Sequence, residues 1–329
     1  MKQILERERT RADRMGEGFS LLMLSLAGER PKRAAAAHVA RILEQRLRAT
    51  DDAGWLNRWR VGIVLPATTP PGAWKVAGDI QKDLPRDLPV EVAVLYYPSD
   101  FPPPRELIGE SHAQGAGRPQ SVSPMEPVFT QRLPFAKRCL DVVGAVGLLL
   151  LLAPLLAMTA ICIKLTSPGP VLFKQQRSGR GGRPFLLYKF RSMVVDAEAK
   201  KQELMQWNEQ DGPAFKIRND PRVTRLGRFL RQTSIDELPQ LWNVVRGDMS
   251  LVGPRPLVCN ETAACRGWER RRLDVTPGLT CTWQVKGGSR VSFADWVRMD
   301  IRYIRSRSLR CDVKLLLQTL PAVVLRKNK

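Results

Sequence analysis

The sequence predicts an α/β protein in two parts: a small N-terminal α/β domain, then a larger, mostly helical α+β domain built on a membrane helix element. Three observations predict it. Strand-like and helix-like patterns alternate over residues 19–97, a run of 22 positions at 142–163 holds no charged side chain, and the positive charge is lopsided. The chain has 329 residues, with 53 Lys+Arg against 32 Asp+Glu and a net charge of +21. Residues 1–130 carry 18 basic and 16 acidic side chains, so residues 131–329 hold +19 of that total. A field of this sign attracts polyanions, whether nucleic acid, anionic lipid headgroups or phosphorylated small molecules.

Taken in order, Phe19–Leu26 (FSLLMLSL) reads as a strand and Ala34–Leu47 as a helix. Val61–Leu65 follows as a strand, Ala73–Ile80 as a helix and Val90–Tyr97 as a third strand, giving β-α-β-α-β over a domain spanning 1–97. Pro98–Pro134 contains eight prolines in 37 residues and reads as an extended linker. The N-terminus, MKQILERERTRADRMGEG, is charged where a secretory leader needs an apolar stretch, so no leader is expected. Six cysteines form no CxxC pair, and only His38 and His112 could assist them, which argues against a zinc site or disulfide framework and for a reducing compartment.

Val142–Ile163 is long enough, at about 1.5 Å per residue, to cross a bilayer as one helix. Pro154 at its middle removes the amide that would bond the Leu150 carbonyl, so a break is expected there. Lys137 and Arg138 precede the segment while Lys164, Lys174 and Arg177 follow it, which makes both ends equally cytoplasmic. Two cytoplasmic ends mean a re-entrant hairpin; a kinked span is the alternative.

Beyond it, Val171–Phe173 and Phe185–Met193 read as strands joined by SGRGGRP. The two-residue period sets Lys189 and Arg191 on one face, either as a solvated strand face or as phosphate ligands. The stretch Arg225–Met249 places Asp236 and Glu237 in or just before the first turn of a helix, with Pro239 inside that turn. Helix capping explains such carboxylates, but the helix dipole and the nearby Arg228 and Arg231 would also keep an aspartate ionised. An ionised carboxylate among cations can attack phosphorus to form an acyl phosphate, or hold a divalent metal against a pyrophosphate. Adjacency does not put both acids on one helix face, so different roles suit them better than a shared proton. Arg255, flanked by Pro254 and Pro256, is presented from a stiff turn fit to bind phosphate. Thr276–Thr280 with Trp283–Val285 reads as a turn and short strand, either a core turn or a place where Gly278 and Gln284, together with Pro254, contact a nucleotide. Phe293–Ser306 mixes aromatics with arginines, as a helix at a lipid interface does.

These residues closely resemble the bacterial sugar transferases, the monotopic polyprenyl-phosphate phosphoglycosyl transferases, over about Phe135–Leu325. The motifs are KRCLDVVGAVGLLLLLAP, GPVLFKQQRSGRGGRPFLLYKFRSM, RFLRQTSIDELPQLWNVVRGDMSLVGPRP, TPGLTCTWQVKG, DIRYI and CDVKLLLQTL. The resemblance implies a re-entrant membrane helix hairpin broken at Pro154, joined to a catalytic domain at the membrane interface on the cytoplasmic face of a bacterial inner membrane. It further implies Mg²⁺ and a UDP-sugar donor. Asp236 looks like the nucleophile that releases UMP, holds the phosphosugar and yields it to polyprenyl (undecaprenyl) phosphate, and like a metal ligand. Glu237 looks like its partner in proton handling or metal positioning, and Lys189, Arg191, Arg231 and Arg255 match motif cations around the phosphates. Cys281 stands where many members carry Gly.

The first domain faintly resembles a degenerate diguanylate cyclase (GGDEF) domain, with LNRWRVGIVLP at the signature hairpin. Asn57-Arg58-Trp59-Arg60 supplies neither the paired glycines nor the acids needed for GTP and metal, so a regulatory or dimerising role is expected instead, with a homodimer as one form of it. The function expected is the first step of exopolysaccharide or related glycan assembly, with membrane lipids as surroundings and no nucleic-acid partner. A membrane-anchored basic scaffold binding anionic lipid or nucleic acid is the non-enzymatic alternative.

Overall fold

Strand β1 (Phe19–Leu26) is apolar at nearly every position because side chains cover both of its faces. The computed structural model describes residues 1–26, 33–57, 59–85, 90–99, 122–217, 219–286 and 291–324 and divides the chain into two units, Met1–Phe129 and Thr130–Lys329. In the first unit, helix α1 (Lys2–Met15) precedes β1, and helix α2 (Arg33–Arg46), β2 (Asp52–Asn57), β3 (Arg60–Leu65), α3 (Pro70–Asp83), β4 (Val90–Tyr97) and β5 (Val122–Pro124) follow. The sheet order is β2-β3-β1-β4-β5, antiparallel except for β4 with β5. Leu22, Leu24 and Leu26 pack with Ile42, Ala77 and Ile80 of α2 and α3, while Phe19 and Leu21 on the opposite face meet Leu5 and Ala12 of α1. Every expected strand and helix of this unit is present. Three elements were not expected: α1, β2 and β5. The linker read as Pro98–Pro134 therefore ends early, since β5 pairs with Val94–Tyr96 and Met125 and Phe129 join the core. Residues 100–121 of that stretch lie outside the described residues.

In the second unit the apolar segment is two helices, α4 (Phe135–Leu151) and α5 (Ala153–Thr166), bent by 61° where they meet. Leu152, with φ −93° and ψ 5°, makes the break. Pro154 lies in the first turn of α5, where an amide would have no intrahelical partner, so the break falls ahead of the proline instead of at it. Among the described residues no single helix is long and apolar enough to cross a membrane, but this bent pair has the composition for it. Leu150, Leu151, Met158, Ile161 and Leu165 are all exposed.

Lys137, Asp141 and Ala145, four residues apart, form the buried stripe of α4. Lys137 Nζ donates to Asp312 Oδ2 (2.8 Å) and to the Val252 carbonyl (3.0 Å). Asp141 Oδ1 accepts from the Leu251 amide (2.9 Å) and Ser250 Oγ (3.0 Å). These bonds hold strand β8 (Ser250–Val252), which pairs parallel with β9 (Gly278–Thr280). Strands β6 (Leu172–Ser178) and β7 (Pro184–Phe190) form an antiparallel hairpin. Helices α6 (Arg225–Thr233), α7 (Gln240–Arg246), α8 (Cys259–Ala263), α9 (Thr282–Lys286), α10 (Phe293–Ser306) and α11 (Leu309–Val324) complete the unit. Two expectations need correction. Trp283–Val285 lies in helix α9, not in a strand. The apolar face of α10 is core, with Phe293, Trp296, Val297, Tyr303 and Ile304 buried, so it offers lipid nothing.

Candidate active site

Helix α6 opens with Thr224, whose Oγ1 accepts from the Gly227 amide (2.9 Å), and it closes at Ser234, a non-glycine with φ 58° and ψ 16°. Side chains are uncommon in that left-handed region. The reversal turns the chain into a single 3₁₀ turn, Ile235–Glu237, before Pro239 leads into α7. Asp236 and Glu237 therefore stand just ahead of a helix, as their sequence context predicts.

The two carboxylates have opposite surroundings. Glu237 Oε1 accepts from Lys189 Nζ (3.0 Å) at the end of β7 and from Arg255 Nη2, while Oε2 accepts from Arg255 Nη1 (3.0 Å). Burial works against its charge, but Arg255 and Lys189 outweigh that and hold Glu237 well below the usual carboxylate range. Asp236 is 6% exposed, and no hydrogen bond among the described residues engages its carboxylate. Burial pushes its pKa up, with Lys189, Arg231 and Arg255 opposing and Glu237 adding to the rise, to about 6. Lys189, Arg231 and Arg255 act to keep this aspartate ionised, as expected of cations nearby, but desolvation outweighs them in setting the direction of the shift. At pH 7 a group titrating near 6 is still roughly nine-tenths ionised.

Other expected site residues have structural partners. Arg191 lies beyond the end of β7, and its guanidinium donates to the Pro168 carbonyl (2.6 Å) and the Ser167 carbonyl (2.8 Å), closing the C-terminus of α5. It does not join Lys189. Arg231 donates to Ser192 Oγ (3.0 Å) and remains near enough to Asp236 to act on its charge. Gly278 packs against Gly253, since a side chain on it would fall within 2.0 Å of the Gly253 amide nitrogen, and its N–H donates to the Pro254 carbonyl (2.9 Å). Gln284 Oε1 accepts from Cys281 Sγ (2.9 Å). Pro254, Gly278 and Gln284 thus have reasons to be where they are that involve no nucleotide.

Sequence reading missed the mount of Arg255. Arg272 Nη2 donates to the Arg255 carbonyl (2.6 Å) and to Asp300 Oδ2 (2.9 Å) of α10, and Arg177 Nη1 donates to the Pro256 carbonyl (3.1 Å). Asp300 in DIRYI was readable only as a helix position, and Arg272 only as one of four cations in a polar run. Among the described residues no group of three His, Cys, Asp or Glu could enclose a metal. Mg²⁺ is ordinarily held by one or two carboxylates plus phosphate oxygens and water. Asp236, with its lone pairs unengaged, fits that donor set.

The N-terminal part resembles a DGC protein from Thermotoga maritima at 16% identity and a TM-score of 0.28, covering 30% of this chain and 79% of that one. Diguanylate cyclase SiaD from Pseudomonas aeruginosa compares at 19% identity and 0.26, covering 29% and 44%. A likeness of that size says nothing about activity. Galactosyl transferase CpsE of Streptococcus agalactiae serotype III is 44% identical over 191 residues, 58% of this chain and 42% of that protein, so the chain spans about two-fifths of that relative. UDP-glucose:undecaprenyl-phosphate glucose-1-phosphate transferase of Caulobacter vibrioides is 42% identical, covering 63% of this chain and 77% of that one. Exopolysaccharide production protein ExoY of Rhizobium meliloti is 39% identical, covering 59% and 87%. The sequence model of one family matches residues 132–326, the same unit that holds Asp236, Glu237 and Arg255, and the chain belongs to that family, the bacterial sugar transferases.

Proposed function

We propose that this protein is a phosphoglycosyl transferase that moves a phosphosugar from a UDP-sugar to polyprenyl phosphate through a covalent aspartyl intermediate, initiating a bacterial exopolysaccharide or related glycan. The observation that carries the reading is the asymmetry of the acidic pair: Glu237 is fixed by two cations, and Asp236 is free and made more basic by burial. Environments that push two neighbouring carboxylates apart assign them different work.

In the first step an Asp236 Oδ atom attacks the phosphorus that bears the sugar. The bond between that phosphorus and the oxygen bridging to the second phosphorus breaks, and UMP leaves with the bridging oxygen. In the second step a phosphate oxygen of the polyprenyl carrier attacks the same phosphorus, the acyl–phosphate bond breaks, and the Asp236 carboxylate is restored. Glu237, held ionised, has no proton to give; its work is to keep Lys189 and Arg255 beside the phosphate that Asp236 attacks. When bound, Mg²⁺ would neutralise diphosphate charge, with Asp236 as its protein ligand. Relatives named as undecaprenyl-phosphate galactose and glucose phosphotransferases support a UDP-hexose donor and an undecaprenyl acceptor.

The way the α4–α5 pair is tied supports a re-entrant membrane element, and the cations flanking it support a cytoplasmic face. Lys137, Arg138 and Asp141 bind the start of α4 to β8, α11 and the end of α7, and Arg191 with Ile163 binds the end of α5 to the region of β7 and α6. Both ends return to one folded body, which supports re-entry over crossing. Each arm, 14 or 17 residues long, is about 21–26 Å of helix, and its end nearest the folded body is held there by Lys137, Asp141 and Ile163. The hydrocarbon is about 30 Å thick, so neither arm alone reaches across it. The basic-scaffold alternative has no use for an unpaired buried aspartate.

Asp236→Asn tests the proposal. UMP release from UDP-sugars with Mg²⁺ and polyprenyl phosphate should fall by at least about a thousandfold, as losses of covalent nucleophiles do. Radiolabelled phosphosugar should no longer be trapped on the protein. Undiminished turnover in this variant overturns the covalent route.

A further inference from the structure

The Pro254-Arg255-Pro256 turn leaves the sheet after β8, and Pro256 has no amide to give a neighbour, so little of this turn can be fixed by strand pairing. Its three carbonyls are nevertheless all engaged. Pro254 accepts from the Gly278 amide (2.9 Å), Arg255 from Arg272 Nη2 (2.6 Å) and Pro256 from Arg177 Nη1 (3.1 Å). Arg272 is the best braced of these donors. It is 4% exposed, its Nη2 also reaches Asp300 Oδ2 at 2.9 Å, and its guanidinium lies 5.0 Å from the Trp296 ring centre. Asp300 and Trp296 both belong to α10, whose apolar face is core.

We propose that Arg272, braced by Asp300, is a positioning residue that sets the Arg255 guanidinium for the phosphate while touching no substrate itself. Arg255 must meet Glu237 through both amino nitrogens and still face the site, and a shift of its peptide carbonyl carries the side chain with it. Side chains around a reacting group act at full strength only when a second layer locks them, and misplacement by about 1 Å can cost a hundredfold. The inference rests on reading Arg255 as a phosphate-facing cation; the Asp236→Asn experiment tests the covalent reading separately.

A double-mutant cycle on the full-length protein decides it, using Arg272→Lys, Arg255→Ala and the pair, with UMP release as readout and the thermal midpoint recorded for each. Lysine keeps a charge for Asp300, but its side chain is shorter and lacks the planar group that lies over Trp296, so its nitrogen cannot sit where Arg272 Nη2 meets both Asp300 and the Arg255 carbonyl. Arg272→Lys should lower kcat about tenfold or more, change KM for the UDP-sugar far less, and cost nothing further once Arg255 is alanine. Losses that multiply in the double variant would show that Arg272 acts independently of Arg255 and overturn the proposal. If Arg272→Lys does not fold, the same cycle with Asp300→Asn carries the same two outcomes.

Discussion

Around β1 the N-terminal unit buries Leu22, Leu24, Val61, Ile63 and Ile80 against one another, whereas around β8 the C-terminal unit buries Lys137, Asp141, Arg272, Asp300 and Asp312 within hydrogen-bonding distance of their partners. Apolar contact is non-directional and fixes a layer; it does not fix a particular atom. Ions bonded in a dry interior are directional, and their geometry has to be right because an unmatched one is costly. Both units have apolar clusters and some buried charge, but the unit with a turn to hold in place adds a set of bonded ions beside its own cluster of Leu241, Leu251 and Val252.

The contrast can be broken experimentally, starting with the largest effect. Lys137→Met leaves Asp312 buried without its cation and should destabilise the protein by about 3–5 kcal/mol in denaturant unfolding. Adding Asp312→Leu should recover much of that loss, which an apolar interior would not do. Leu24→Ala, at a fully buried position of β1, should cost about 2–5 kcal/mol, and no second charge change should rescue it. Glu237→Gln, which removes the anion holding Lys189 and Arg255, should slow UMP release about a hundredfold.

The smallest effect is one of pH. Asp236 must be ionised to attack, and its pKa is raised to about 6. The rate should therefore be level above that value and fall tenfold for each pH unit below it. Glu237 is one cause of the rise, so Glu237→Gln should move the acid limb to lower pH, and a limb that moves up or stays fixed contradicts this electrostatic account.

What the sequence made legible was local. β1 and β4 are apolar runs interrupted only by Ser20, Ser25 and Glu91 and read within their bounds, and the IDE turn ahead of LPQLW read as the start of a helix. Helix α1 did not, because KQILERERTRADRM is charged nearly throughout and its buried face includes Glu8 and Arg9, the latter over the Phe129 ring. β5 is three residues among prolines and exists through its pairing with β4. At the site, the acidic pair was visible, but the difference between its members depends on Lys189, 48 residues earlier, and Arg255, 18 residues later. Arg191 was grouped with Lys189 by strand period, yet the strand stops at Phe190 and the side chain turns to α5. Periodicity cannot say where a strand ends.

On the proposed re-entrant reading, the elbow at Leu152 has a consequence for the bilayer itself. A wedge that enters from one side and turns back adds area to a single monolayer and none to the opposite one. Every inserted copy then biases the sheet toward bending away from that side, so occupancy in vesicles should rise as their outer radius shrinks when the protein is added from outside. The angle between α4 and α5, set by one residue's backbone, fixes how wide that wedge is.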